Sequence, residues 1–176
     1  MKIFRLLVLS VIILFLVITA ISLLIPSHIR ISRAANMHAS ADDVWVHVDN
    51  MHSWKEWNPF FSQVPPSEIE FTDSREGRPA VMKIRGTVIQ LKEKKPDERI
   101  YVMEAKGKTT VINGWKFMSN SVSDSSTLQW YIDINLRWYP WEKFASLLFE
   151  KSYGARIEEG LSNIKKTVEK SRISFY

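Results

Sequence analysis

The sequence predicts an α+β fold behind a single apolar N-terminal segment, and three observations carry that reading. From Glu68 to Arg137 apolar and polar residues alternate with a period of two in runs broken by turn-forming residues. The stretch Trp141–Lys170 is the only long helical pattern beyond the first 25 residues. In it Phe144, Leu148, Ile157, Leu161, Ile164 and Val168 recur at steps of three and four within each half, and Glu and Lys fill most of the rest. Ahead of everything, Leu6–Ile25 contains no charge. Strands followed by one long amphipathic helix imply a sheet that curls around that helix.

The elements follow in order. Leu6–Ile25, at about 1.5 Å per residue, reaches roughly 30 Å, the thickness of a bilayer core. A cleaved secretory signal would have a shorter apolar region, about 7–15 residues, ending in small residues. Leu23, Leu24, Ile25 and Pro26 make a poor cleavage site. Residues 1–26 therefore read as an uncleaved single-pass anchor in contact with lipid through residues 6–25, and residues 27–172 as the domain it carries. Lys2 and Arg5 precede the span, Arg30 and Arg33 follow it, and the short flank favours an inside N-terminus with the domain outside the cytoplasm. Pro26 ends the first helix, and His28–His38 is a first strand. Ser40 with Asp43 three residues on forms a near capping box for a helix whose Val44, Trp45 and Val48 share a side. A second short helix, Met51–Trp57, stops at Asn58-Pro59. Strands are expected near 67–73, 79–85, 87–94, 98–106, 108–118 and 124–137, with breaks at Arg75–Pro79, Lys95–Asp97, Lys106–Lys108 and Ser119–Ser126. In the last strand Leu128, Trp130, Ile132, Ile134 and Leu136 face a core while Gln129, Tyr131, Asp133, Asn135 and Arg137 face water. Pro140 suits a helix start. Trp138–Trp141 reads as a corner packed over the end of the core, with a seat against lipid headgroups as the alternative. Gly154 and Gly160, each costing about 1 kcal/mol in a helix, indicate a kink or a tight crossing over the sheet, or else a groove-facing side.

Composition narrows the function. Apolar residues make up 45% and aromatics 12% of the 176 residues, which argues against disorder. Of the net charge of +5, Lys2 and Arg5 contribute two, and no dense Lys/Arg run with interleaved aromatics marks a nucleic-acid groove. The absence of cysteine excludes disulfides, thiol nucleophiles, iron–sulfur clusters and acylation at an N-terminal cysteine.

The opening ASADDVWVHVDNMHSWKEWNPF, with its Trp54-Lys55-Glu56-Trp57-Asn58-Pro59 element, and the closing FEKSYGARIEEGLSNIKKTVEK resemble the START-like (SRPBCC) superfamily, which includes the polyketide cyclase/dehydrase-like proteins. The resemblance spans about residues 28–170, and bacterial members also carry an N-terminal membrane span. It implies a helix-grip fold, a seven-stranded antiparallel sheet around a long C-terminal helix with an apolar cavity between them. The chain departs from the pattern at DSREGRPAVMKIRGTVI, where members often have a Gly-rich turn with a tryptophan and this chain has only Gly77 and Gly86.

Within that fold the expected cavity wall is Trp57, Phe60, Met82, Ile84, Tyr101, Met103, Trp115, Phe117, Trp130, Ile132 and Phe149. Asn113 is an inward polar group, in phase with Val111, Trp115 and Phe117. Each aromatic or aliphatic member is equally an ordinary core filler. Tyr101, Met103 and Ala105 alternate against Ile100, Val102 and Glu104, and only the second register would turn a carboxylate inward. All four histidines lie between His28 and His52, without acids at ligand spacing, and Asp133 and Glu158-Glu159 read as solvated. No HExxH, Gly-x-Ser-x-Gly or phosphate loop occurs. No cofactor or metal is expected. The chain thus reads as a tethered domain binding a small hydrophobic molecule or lipid without catalysis. The alternatives are a cyclase-, dehydratase- or hydrolase-type enzyme using the same pocket, or a protein-interaction module at the membrane surface.

Overall fold

A computed structural model of the chain describes residues 1–72, 80–119 and 125–173. Helix α1 (Lys2–Ser22) is followed by strand β1 (His28–Met37), helix α2 (Ala41–Asp49), a 3-10 turn (Met51–Ser53) and the four-residue helix α3 (Trp54–Trp57). A second 3-10 turn (Pro66–Glu68) leads into β2 (Ile69–Thr72), β3 (Val81–Ile84), β4 (Thr87–Lys94), β5 (Glu98–Ala105), β6 (Val111–Ser119) and β7 (Ser126–Asn135). Helices α4 (Pro140–Ser146) and α5 (Phe149–Ile173) close the chain. The seven strands form one antiparallel sheet in the order β1-β7-β6-β5-β4-β3-β2, with α5 packed mainly on β1. This is the helix-grip arrangement. The expected turn at Arg75–Pro79 and part of the break at Ser119–Ser126 lie outside the described residues.

Local chemistry explains the elements. The Ser40 hydroxyl accepts from the Asp43 amide, and the Asp43 carboxylate accepts from the Ser40 amide, completing the capping box of α2. Val44, Trp45 and Val48 then point into the core. Ile84 pairs with Thr87 across the two-residue turn Arg85-Gly86, where both residues have positive φ (47° and 78°). That left-handed geometry matches the twist of the flanking strands. Arg85 is held there by an ion pair with Glu68.

Three expectations are corrected. The first helix ends at Ser22, not at Pro26, because the Leu24 and Ile25 amides already turn back with 3-10-type bonds to the Ile21 and Ser22 carbonyls. The helical pattern from Trp141 is not one rod: Leu147 and Leu148 break it between α4 and α5. Ile157, Leu161, Ile164 and Val168 are fully buried, each contributing about 1.5–3 kcal/mol. Phe144 and Leu148 belong to the other side of the break and are exposed. The corner also differs from its expected place over the core: Pro140 is buried, but Trp138 and Trp141 are 60% and 62% exposed.

Both helix glycines mark close approaches and not a binding groove. A methyl group on Gly160 would sit 2.4 Å from the Trp130 ring and 3.0 Å from Pro59, whereas one on Gly154 would meet only the guanidinium end of Arg33, at 2.7 Å. Gly160→Ala is expected to cost about 1–3 kcal/mol in urea unfolding because a buried ring must move. Gly154→Ala should lie within about 1 kcal/mol of neutral, since helix propensity is gained and a long side chain can swing aside.

Candidate functional site

Between the concave face of the sheet and the helices lies a cavity of about 260 Å³. Alternation places its wall. Tyr101, Met103 and Ala105 of β5 face inward opposite Asn113 and Val111 of β6, with Asn113 beside Ile132 of β7. Thr87 and Ile89 of β4 extend the floor, and Trp54, Asn58, Phe60 and Phe61 come from α3 and the loop after it. Lys108, Thr109 and Tyr153 form the rim. In this register Glu104 is exposed, which rules out the alternative that turned a carboxylate inward.

The polar groups of the wall are few and mostly engaged. The Asn58 side chain is buried and accepts from the Phe60 amide at 3.0 Å. The Tyr101 hydroxyl donates to the Val48 carbonyl at 3.2 Å, and burial pushes its phenol well above the ordinary range. Asn113 donates to the Met103 sulfur at 2.7 Å and accepts from the Trp130 indole at 3.4 Å. The buried indole N–H of Trp115, a wall residue, has no acceptor among the described residues. No Asp, Glu or His stands in the described wall. No group of three or more His, Asp or Glu among the described residues is arranged to hold a metal.

Lys108, Thr109, Val111 and Tyr153 also line a second, outer groove of about 330 Å³. Its far side is Leu136, Trp141, Ala145 and Phe149, with Arg137 and Glu142 at the edge. Arg137 donates to both carboxylate oxygens of Glu142, holding that carboxyl below its usual range.

The sequence profile of the polyketide cyclase / dehydrase and lipid transport family matches residues 28–169. The chain belongs to that family. No curated protein matches it. Among solved structures, a START superfamily protein from Mycobacterium smegmatis superposes with a TM-score of 0.58 at 15% identity, over 80% of this chain and 97% of that one. A truncated norcoclaurine synthase from Thalictrum flavum gives 0.57 at 12% identity, over 80% and 93% of the two chains. The di-domain ARO/CYC StfQ of the steffimycin biosynthetic pathway gives 0.62 at 13% identity, over 82% of this chain and 52% of that one. At such identities the likeness is one of fold.

In this member of the polyketide cyclase / dehydrase and lipid transport family, the structure sorts the expected wall residues into two groups. Phe60, Tyr101, Met103, Asn113, Trp115 and Ile132 surround the cavity. Trp57, Met82, Ile84, Phe117, Trp130 and Phe149 stand elsewhere. Trp57 and Trp130 meet edge-to-face at 5.9 Å, and α5 fills the space beside Trp130 through Gly160. Met82 and Ile84 are buried in the core on β3 away from the cavity, and Ile89, paired with Met82, takes the wall position. Phe117 packs edge-on to Trp45 at 6.2 Å, and Phe149 lines the outer groove. The sequence reading missed Trp54, Phe61, Thr87, Ile89 and Tyr153. Strand alternation could have found Thr87 and Ile89, but Tyr153 depends on how α5 is rotated.

The convex face of the same strands is not a simple solvated surface. Tyr131 lies over Gly114, where a methyl group would come within 2.0 Å of its ring, and its hydroxyl donates to Glu98 at 3.0 Å. Arg30 stacks on that ring at 4.4 Å and forks onto Asp133, which is 6% exposed and so corrects the solvated reading. Burial, then the Glu98 bond, push the Tyr131 phenol from its ordinary 10.0 up to about 12. Ionisation therefore begins in the unfolded chain first. The folded state keeps this contribution below pH 10 and loses it as the pH rises towards 12. Stability measured by urea unfolding is expected to fall across that window, and Tyr131→Phe should make the fall shallower. It should not abolish it, because the raised Tyr101 phenol acts in the same direction.

Proposed function

We propose that this chain is a membrane-tethered binding protein. Residues 1–26 hold it to the bilayer as a single span through residues 6–25, and the domain of residues 27–172 lies outside the cytoplasm and takes up a small hydrophobic molecule without transforming it. The observation that carries this reading is the cavity itself. It is an aromatic and aliphatic wall around about 260 Å³, with Asn113, Thr87, Thr109 and Lys108 as the polar groups that can orient a guest and no carboxylate or imidazole in the described wall. An apolar cavity of about 150 Å³ accommodates a benzene ring, so this one suits a fused ring system or a short acyl chain. The unpartnered Trp115 N–H favours a guest with an acceptor atom near it. The tether is supported by α1, whose 21 residues carry no charge after Arg5 and are exposed from Lys2 to Ile18, so nothing in the domain covers that stretch.

A catalytic reading also has support. Norcoclaurine synthase and the di-domain ARO/CYC StfQ share the fold, and Lys108 places one ammonium at the cavity rim. That lysine would serve as the acid or base, with the apolar wall holding a ring substrate.

Native mass spectrometry of the full chain in lipid nanodiscs distinguishes these readings. A co-purified hydrophobic molecule of unchanged mass is expected, and Ala105→Phe, which adds bulk to the wall, should reduce its occupancy about tenfold. Arg30→Gln on the convex face should leave occupancy unchanged. A guest converted to a new mass, with conversion stopped by Lys108→Met, would establish the catalytic reading instead.

A further inference from the structure

Helix α4 is amphipathic in the wrong sense for a soluble domain. Its inward side carries Lys143 and Ser146, 2% and 5% exposed, and its outward side carries Trp141, Phe144 and, just past its end, Leu147 and Leu148. Leu147 and Leu148 are 65% and 69% exposed. The buried Lys143 ammonium donates to the Ile25 carbonyl at 2.8 Å and the Ser27 hydroxyl at 2.6 Å, which ties α4 to the chain leaving α1. Leu23 and Leu24 at that exit are also exposed. The end of α1 touches α4, so exposed apolar side chains stand on both sides of that contact. Such side chains are more stable out of water, and a surface of this kind marks an interaction site.

We infer that α4 is a foot seated in the headgroup layer of the bilayer, and that the outer groove above it is the entrance by which a membrane amphiphile, with an apolar tail and an anionic head, reaches the cavity. The proposal rests on the tether described above. Continuity with α1 selects lipid as the occupant: the foot begins where the apolar span ends, and tryptophans at 138 and 141 suit the interface. The groove supports passage because Lys108, Thr109, Val111 and Tyr153 belong to both spaces. Trp141, Ala145 and Phe149 offer the tail an apolar path, and exposed Lys106 and Lys108 on the β5–β6 turn offer the head a positive rim.

The chain lacks cysteine, so single nitroxide labels can be placed at Leu147→Cys, Leu14→Cys and Val46→Cys in the full chain, reconstituted in phosphatidylcholine–phosphatidylglycerol vesicles. Collision with oxygen and with a water-soluble nickel chelate reports the depth of each label. The expected pattern is lipid at Leu14 and Leu147 and water at Val46. Lipid at Leu14 with water at Leu147 overturns the foot and leaves the tether intact, whereas water at Leu14 overturns the tether and the foot together. Spin–spin broadening between Leu147 labels means a second copy covers the surface, and overturns lipid as its occupant. For the entrance, decanoic acid carrying a diazirine is dissolved in the same vesicles and photolysed. Labelling of the peptide containing Met103 is expected, and Ala145→Phe, an exposed site where the fold is not at risk, should lower it about tenfold with labelling of α1 unchanged. No labelling of that peptide, or equal labelling in Ala145→Phe, overturns the entrance.

Discussion

A pillar of aromatic rings holds the sheet off the helix, and the other features of the domain depend on it. Trp115 packs at a tilt against Trp130 at 5.2 Å and against Trp54 at 5.4 Å, and Trp54 meets Tyr101 at 4.8 Å. All four side chains are at most 1% exposed. Helix α3, four residues long, has no stability of its own. It is fixed because the Trp54 indole donates to the Val48 carbonyl at 2.9 Å and Asn163 of α5 donates to the Trp57 carbonyl at 3.1 Å. Rigid rings of this size set a minimum separation between the layers.

The cavity is the consequence of that separation. Where the rings stand, or where Gly160 lets α5 descend onto Trp130, the gap is filled. Towards the β5–β6 turn the inward residues become small, Ala105, Thr87 and Thr109, and the space stays open. Close packing elsewhere means the opening cannot collapse without moving the pillar. The convex face reinforces the strands through the Arg30–Asp133 fork and the Tyr131 ring over Gly114, so the sheet is braced from both sides.

Helix α4 follows the opposite logic. It buries a lysine and shows tryptophan, phenylalanine and leucine to the outside, which is costly unless something apolar covers them. Its placement beside the end of α1 and the outer groove puts three features at one end of the domain: the apolar helix, the exposed aromatic face and the groove that shares residues with the cavity wall.

The succession of strands along the chain, the capping box at Ser40 and Asp43, the inward phase of Asn113 with Trp115, and the buried stripe Ile157–Val168 were all legible in the chain. They depend on periods of two and 3.6 and on local hydrogen bonds, which a sequence encodes directly. Which aromatics surround empty space was not legible. Trp115 and Trp130 alternate identically with their neighbours, and only the packing of Gly160 over Trp130 decides that one is covered by helix while the other borders the cavity. The break at Leu147-Leu148 was hidden for a similar reason. Two amphipathic segments share one apolar repeat on paper, but α5 buries its stripe on the sheet and α4 is turned away by the Lys143 tie to Ile25 and Ser27. The sequence alone determined which stretches favour strand or helix and which residues are apolar. The tertiary structure alone decided which apolar groups face core, cavity or exterior, because that is a property of neighbours brought together from distant parts of the chain.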